Sequence, residues 1–305
     1  MDDEVGIDVG TARSPGATTV PRTAGRRSMR NIDTVLVPLD GSEFSRTAVP
    51  SATRLATRLN AAIHLLSAVE SVDEAGNREA DLAHVEVPGR RVRPTVVVDR
   101  HPAGAIHETL RRMPAGVACM ATHGRARSTA LIGSVATDVV ARGHDMVLVC
   151  PYIDQARRTA DVVVCVDDSP ASAGLVMVGL DWADRLGERL VVLTVAEEVQ
   201  PPATDEPPQR RFGPDGDVER FLEELVQPAR AVRRTVDTTA LYNPIGVWQG
   251  LYRYLSEAPA TLLVVNSRVR PPAMRLVFGS VATTIVRHSH VPVLVVRRPD
   301  DHATR

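Results

Sequence analysis

The chain has almost no excess of charge of either sign. Its 36 Lys and Arg oppose 37 Asp and Glu, leaving a formal net charge of −1, so nothing global draws it toward nucleic acid or an anionic membrane surface. No apolar run approaches the ~18 residues of a spanning helix, and no membrane partner is expected. Cysteines are few. Cys119, Cys150 and Cys165 all lie inside apolar, strand-like runs with no second ligand nearby in sequence, and so read as small buried hydrophobes rather than metal ligands or redox pairs. That usage fits a reducing, cytoplasmic setting. Several chemical signatures are absent as well: the GxxxxGK[ST] phosphate loop, GxGxxG, the GxSxG elbow, HExxH and CxxC.

What the sequence does contain is itself, twice. Residues 35–70 align without a gap on residues 162–197, an offset of 127, with Asp40 on Asp167, Ser42 on Ser169, Leu59 on Leu186 and Glu70 on Glu197. Residues 133–150 align likewise on 279–296, an offset of 146, so the second copy carries 19 extra residues, expected near 200–216 where Pro, Gly and charge are dense. Copies of this length are domains rather than solenoid units, and 305 residues at 44% hydrophobic suffice for two cores. The expected division is 31–152 and 159–298, with short tails at 1–30 and 299–305. Residues 1–30 place Asp2, Asp3, Glu4 and Asp8 before Arg13, Arg22, Arg26, Arg27 and Arg30 among Gly, Pro, Ser and Thr. Such a stretch cannot offset its ordering entropy and is expected to be disordered.

Each copy alternates strand and helix patterns. In the first, the apolar run 34–39 ends at Asp40-Gly41-Ser42, a turn and helix-cap signal. Ala48, Ala52, Leu55, Ala56 and Leu59 then recur at helical spacing. Strands follow at 62–69, 94–98, 117–121 and 146–150, with a short helix near 77–84 and longer ones at 102–112 and 134–142. The second copy repeats the order, with strands near 161–166, 189–195, 235–241, 261–265 and 291–296. Apolar strands joined by amphipathic helices imply right-handed crossovers and a parallel sheet covered on both faces. Each copy therefore reads as a five-stranded, doubly wound α/β unit.

Ligands of such sheets sit beyond the carboxyl ends of the strands, where strand order reverses. The first strand delivers Asp40 there, and the fourth runs into Ala121-Thr122-His123-Gly124. Asp40 serves either as a helix cap or as a binding residue, and the residues alone leave both open. Gly133-Ser134 opens the last helix, whose N-terminal N–H groups and dipole suit an anion, although Ser134 also suits a simple cap. The polar loop between, 124–132, has the composition a phosphate chain needs. His123 is either an acid–base group facing this crevice or a loop histidine bonding backbone or ligand. His144 and His290 share one place before the last strands and read as structural, and Trp182 and Trp248 read as packing.

These segments carry a specific resemblance. VLVPLDGS with Ser45, MATHGRARSTALIGSVATDVV, and the second copy's GSVAT and VPVLVV resemble universal stress protein domains, and the whole resembles the tandem two-domain members common in actinobacteria. The resemblance implies strand order 3-2-1-4-5, as in adenine nucleotide α-hydrolase-like folds, and antiparallel pairing of fifth strands in a dimer or, here, an intramolecular pseudo-dimer. It also implies, for one branch, ATP binding through G-x-x-G-x9-G-[ST]. In the first copy Gly124 matches the second glycine and Gly133-Ser134 the closing pair, while Ala121 replaces the first glycine and the spacer has eight residues, not nine. Asp40 matches the acidic residue that contacts nucleotide, and Val69 lies where backbone groups meet adenine. The binding set so implied is Pro38, Asp40, Val69, Ala121, His123, Gly124, Arg127, Gly133, Ser134 and Val135, with Arg125 and Arg127 either on phosphate or solvated. In the second copy Asn266 and Val269 replace both early glycines and Pro271-Pro272 stiffens the loop. Only Asp167, Gly279 and Ser280 of that site remain, with Arg268 and Arg270 nearby.

The function expected on this basis is adenine-nucleotide binding, ATP with or without Mg2+, in the first copy of a cytoplasmic stress-response regulator, with a degenerate second site. No catalytic residue or metal ligand is assigned, and at most slow hydrolysis is expected. The partners are the nucleotide and an unnamed protein client, with a homodimer through other surfaces left open. The rival reading is a protein–protein adaptor with two vestigial pockets. An enzyme such as a nucleotidyl transferase would need catalytic loops that the sequence does not supply.

Overall fold

The computed structural model describes residues 31–90, 92–113, 115–122, 133–142, 147–151, 160–196, 198–199, 209–210, 217–232, 235–242, 246–267 and 280–297. The first half runs β1 (Thr34–Pro38), α1 (Glu43–Arg46), α2 (Ala48–Leu59), β2 (Ala62–Val69), α3 (Val72–Ala83), β3 (Val92–Val98), α4 (Pro102–Arg112), β4 (Gly116–Ala121), α5 (Ser134–Arg142) and β5 (Val147–Cys150). The second runs β6 (Asp161–Cys165), α6 (Ser172–Leu186), β7 (Leu190–Ala196), the two-residue strands β8 (Glu198–Val199) and β9 (Gln209–Arg210), α7 (Val218–Val232), β10 (Val236–Tyr242), α8 (Val247–Glu257), β11 (Ala260–Ser267), α9 (Ser280–His288) and β12 (Val293–Arg297).

Ten strands make one sheet in the order β10-β7-β6-β11-β12-β5-β4-β1-β2-β3. Each half has the expected 3-2-1-4-5 order, parallel within itself, and the halves meet through antiparallel pairing of their fifth strands, Leu294 opposite Leu148 and Val293 opposite Val149. The expected pseudo-dimer is therefore present within one chain. Two cores form, but they are the two faces of the shared sheet. Side chains alternate across a strand, so Leu148 and Leu294 enter one core with α2, α6 and α7, while Val147, Val149, Val293 and Val295 enter the other with α4, α5, α8 and α9. Both cores run unbroken through the seam.

A polar contact also crosses the seam. Arg58 at the end of α2 reaches across to Glu188, 2.7 Å away and almost fully buried, and to the carbonyl of Leu186. The repeat is asymmetric here, because Ala61 stands where the second half has Glu188.

Two local expectations need correction. The short helix near 77–84 begins earlier, at Val72, because Ser71 caps it, accepting from the N–H of Glu74, and Asp73 and Glu74 complement the helix dipole. Its apolar periodicity is weak because Leu82 is its one buried apolar anchor. β3 begins at Val92 and runs through Pro94, which an edge strand tolerates. Cys119 and Cys150 are fully buried, as expected of small hydrophobes, and neighbouring strands bring their Sγ atoms to 2.9 Å. Trp182 is wholly buried, as expected, whereas Trp248 is half-buried against Tyr252 and His288. His290 sits beside the Leu255 carbonyl, and His144 lies outside the described residues. So do the tails, and most of 200–216, although the offset between copies grows mainly between β7 and β10, around β8 and β9.

Two tests follow. Leu148→Pro removes a backbone donor at the centre of the β5–β12 pairing, and is expected to separate the halves, seen as a larger radius of gyration in small-angle scattering or as aggregation. An unchanged scattering profile would count against the shared sheet. His64 on β2 is buried, with Nε2 2.9 Å from the Thr95 hydroxyl and Nδ1 unpartnered; burial first, and Arg93 second, hold its pKa below 6.5. The folded state thus binds fewer protons than the unfolded state as pH falls through about 6.5, so stability is full above that value and declines toward the folded pKa. His64→Gln should flatten the loss of melting temperature between pH 7.5 and 5.5, and an equal slope in both proteins would refute this origin.

Candidate functional site

β1 pairs with β2 on one side and β4 on the other, and the chain crosses from β3 back to β4, so strand order reverses between β1 and β4. The register Leu36 to Ala118, continued along both strands, brings Asp40 level with Thr122 beyond the sheet edge. The ends of β1 and β4, where both named loops begin, therefore lie side by side.

Asp40 is half-buried and organises the β1–α1 turn. Its Oδ1 accepts from the Ser42 N–H at 2.9 Å and the Ser42 hydroxyl at 2.6 Å, while its own N–H reaches Ser45 Oγ at 3.3 Å. Ser42 is the cap of α1, accepting from the Ser45 N–H at 3.1 Å. Asp40 thus braces the capping residue instead of capping. The second half repeats the device: Asp167 Oδ1 accepts from the Ser169 N–H at 3.1 Å and from its hydroxyl, and the Asp167 N–H reaches Ser172 Oγ at 3.2 Å. Burial first, and the Asp167 carboxylate second, push the Cys165 thiol up to about 12, so it stays protonated at neutral pH.

The second loop is pinned at its base. The Thr122 N–H donates to the Cys150 carbonyl at 3.2 Å, and its own carbonyl accepts from the Gly133 N–H at 2.9 Å. A ten-residue excursion, 123–132, therefore leaves the end of β4 and returns to the start of α5. The Gly133 N–H is spent on Thr122, so the helix N–H groups that can face a ligand begin at Ser134. Ser134 is exposed, and Val135 is half-buried against the core.

The remaining expected residues divide. Pro38 and Val69 end β1 and β2, and the Val69 carbonyl accepts from the Asp99 N–H at 2.8 Å. Ala121 ends β4 opposite Cys150. His123, Gly124, Arg125 and Arg127 lie outside the described residues, as do Arg268, Val269, Arg270, Pro271, Pro272 and Gly279; Ser280 opens α9, its side chain not described. Asn266 pairs with Val296 at the end of β11, level with Ala121 in the first half. The sequence reading passed over Thr122, whose carbonyl closes the loop, and Arg78, whose guanidinium lies on Gly41 between Asp40 and Ser42. Gly41 has φ +84° and a side chain there would strike Arg78, so the Asp-Gly-Ser triplet itself held the clue. Among the described residues, no cluster of three His, Cys, Asp or Glu could hold a metal, and no helix is long and apolar enough to cross a membrane.

The model of the universal stress protein family matches residues 31–151 and 159–297. A universal stress protein of Mycobacterium tuberculosis H37Rv is 28% identical over 313 aligned residues, covering 88% of this chain and 96% of the relative. Among solved structures, a universal stress protein from Archaeoglobus fulgidus is similar with a TM-score of 0.64 at 19% identity, covering 89% of this chain and 98% of that one. A functionally unknown protein from Pseudomonas aeruginosa PAO1 gives 0.59 at 16% identity, covering 90% and 95%. The structural likenesses speak for the fold alone, but the family match takes in both copies and nearly all of the shared sheet. The chain belongs to the universal stress protein family, as a tandem member with two such domains.

Proposed function

We propose that the first domain binds ATP or a related adenine nucleotide, about one per chain, and that the protein is a nucleotide-responsive stress regulator rather than a high-turnover enzyme. The observation that carries this reading is the pinned loop: Thr122 and Gly133 close its base directly across from the Asp40 turn. In its sequence, Gly124, Arg125 and Arg127 lead to Gly133-Ser134 at the start of α5. Backbone N–H groups from Ser134 onward and the loop arginines suit a phosphate chain, and the Asp40 side suits the nucleoside. Mg2+ would arrive with the triphosphate, held mainly by phosphate oxygens. A cytoplasmic setting belongs to the same reading, since none of the three thiols is in a disulfide.

The second domain keeps the Asp167 turn but presents Asn266 at the end of β11 and Val269 in the loop that follows. A β-branched residue suits neither left-handed backbone nor close approach to phosphate. One observation favours the adaptor alternative: the Asp–Ser turn is intact in both halves, so local turn chemistry alone accounts for Asp40.

Two measurements decide. Isothermal titration should find about one ATP per chain, lost in Gly133→Val and little changed in Gly279→Val; two equivalent sites, or none, would defeat the reading. Asp40→Asn keeps a side-chain acceptor for Ser42 while removing charge, so it should preserve the melting temperature of the free protein and weaken ATP about tenfold. If melting falls while affinity holds, Asp40 belongs to the turn alone.

A further inference from the structure

α3 carries a residue of the wrong kind on its inward side. Its less exposed positions are Ala75, Arg78 and Leu82, a stripe at helical spacing that faces the sheet. The equivalent helix α7 fills its inward stripe with Val218, Leu222, Val226 and Ala229, all buried. Arg78 has only 13% of its side chain exposed, and its ion partner is Asp81 at 3.6 Å, an exposed residue of its own helix. Its Nε is buried without a hydrogen-bond partner. Holding a cation so poorly matched in a half-dry place is unfavourable, and an apolar residue would pack better there.

The guanidinium's position gives a reason. The Arg78 guanidinium lies on Gly41, in the β1–α1 turn. A Cβ at Gly41 would stand 1.4 Å from its Nη1. The second half has Asp168 where the first has Gly41, so the small residue and the inward arginine occur together, on one side only. The same end of the sheet exposes apolar surface: Val72 at the start of α3 is 76% exposed, and Val98 at the end of β3, paired with Val69, is 52% exposed. A planar cation and exposed valines that share the carboxyl end of the sheet are the chemistry that recognises a flat, electron-rich heteroaromatic ring.

We infer that Arg78 is a base-recognition residue of the first domain, its guanidinium stacking on the purine of a bound nucleotide whose edge is covered by Val72 and Val98. The inference rests on the nucleotide reading above and adds the wall that reading lacks. The guanidinium acts on the base, so phosphates are not needed for its effect.

The test compares ATP, adenosine and inorganic tripolyphosphate on the full-length protein by isothermal titration, for the wild type, Arg78→Ala and Arg78→Lys. Arg78→Ala is expected to weaken ATP and adenosine by the same factor, about three- to thirtyfold, and to leave tripolyphosphate unchanged. Arg78→Lys keeps the charge but not the planar face, and should recover only part of the loss. Melting of the free protein should not fall in Arg78→Ala, since the cation has no strong partner to lose. Loss confined to ATP and tripolyphosphate would make Arg78 a phosphate ligand and overturn the proposal, as would unchanged or tighter binding of adenosine, or full rescue by lysine. A wild type that binds none of the three defeats the nucleotide reading and this inference together, whereas wild-type binding with an indifferent Arg78→Ala defeats the inference alone.

Discussion

Three residue pairs of β5 and β12 hold the molecule in one piece. Their antiparallel register turns two parallel sheets, each of which would otherwise end in an exposed and strongly apolar strand, into a single ten-stranded sheet. An edge reading Val-Leu-Val-Cys would invite association with other chains; here each edge is satisfied by the other. Because alternate residues of these strands enter opposite cores, the pairing also fuses the hydrophobic layers of both halves. The linker keeps the two edges at high effective concentration, so closure is intramolecular. The Arg58–Glu188 contact adds orientation to this closure more than energy, since Arg58 is partly exposed and the attraction of such pairs is largely offset by desolvation.

The carboxyl end of each sheet is shaped by a second recurring device, an aspartate that bonds a serine two residues on. Asp40 with Ser42 and Asp167 with Ser169 each spend one carboxylate oxygen on the turn. The turn fixes where the carboxylate stands, and a fixed carboxylate at a topological switch point is preorganised for a ligand's hydroxyl or amine donors. The same turn stands in the second half although Asn266 and Val269 replace Ala121 and Gly124 of the first, so the turn does not depend on the glycines of that loop.

How much of this was legible in the sequence depended on how local the cause was. The repeat, the strand order and the fifth-strand pairing followed from the ungapped alignment, the alternating apolar runs and the family resemblance, and the structure bears them out. The start of α3 was missed because hydrophobic periodicity was the signal sought, and that helix has one buried apolar anchor; Ser71 with Asp73 and Glu74 were the better evidence. The Cys119–Cys150 contact depends on the register of β4 against β5, which no sequence period reports. Arg78 was invisible for a related reason: an arginine in a polar helix reads as solvated until the fold shows which face it occupies.

The two halves differ in a consistent direction. Where the second half places apolar Val218, Leu222, Val226 and Ala229 under α7, the first interrupts the equivalent stripe with Arg78. Where the second puts Asp168 after its turn aspartate, the first has a glycine at φ +84° that admits the guanidinium. The second half thus spends on packing positions that the first gives to an arginine and a glycine. Each half still supplies the fifth strand without which the other would be left with an open edge. The asymmetry between the copies falls on α3 and the β1–α1 turn, away from the fifth strands on whose pairing both halves depend.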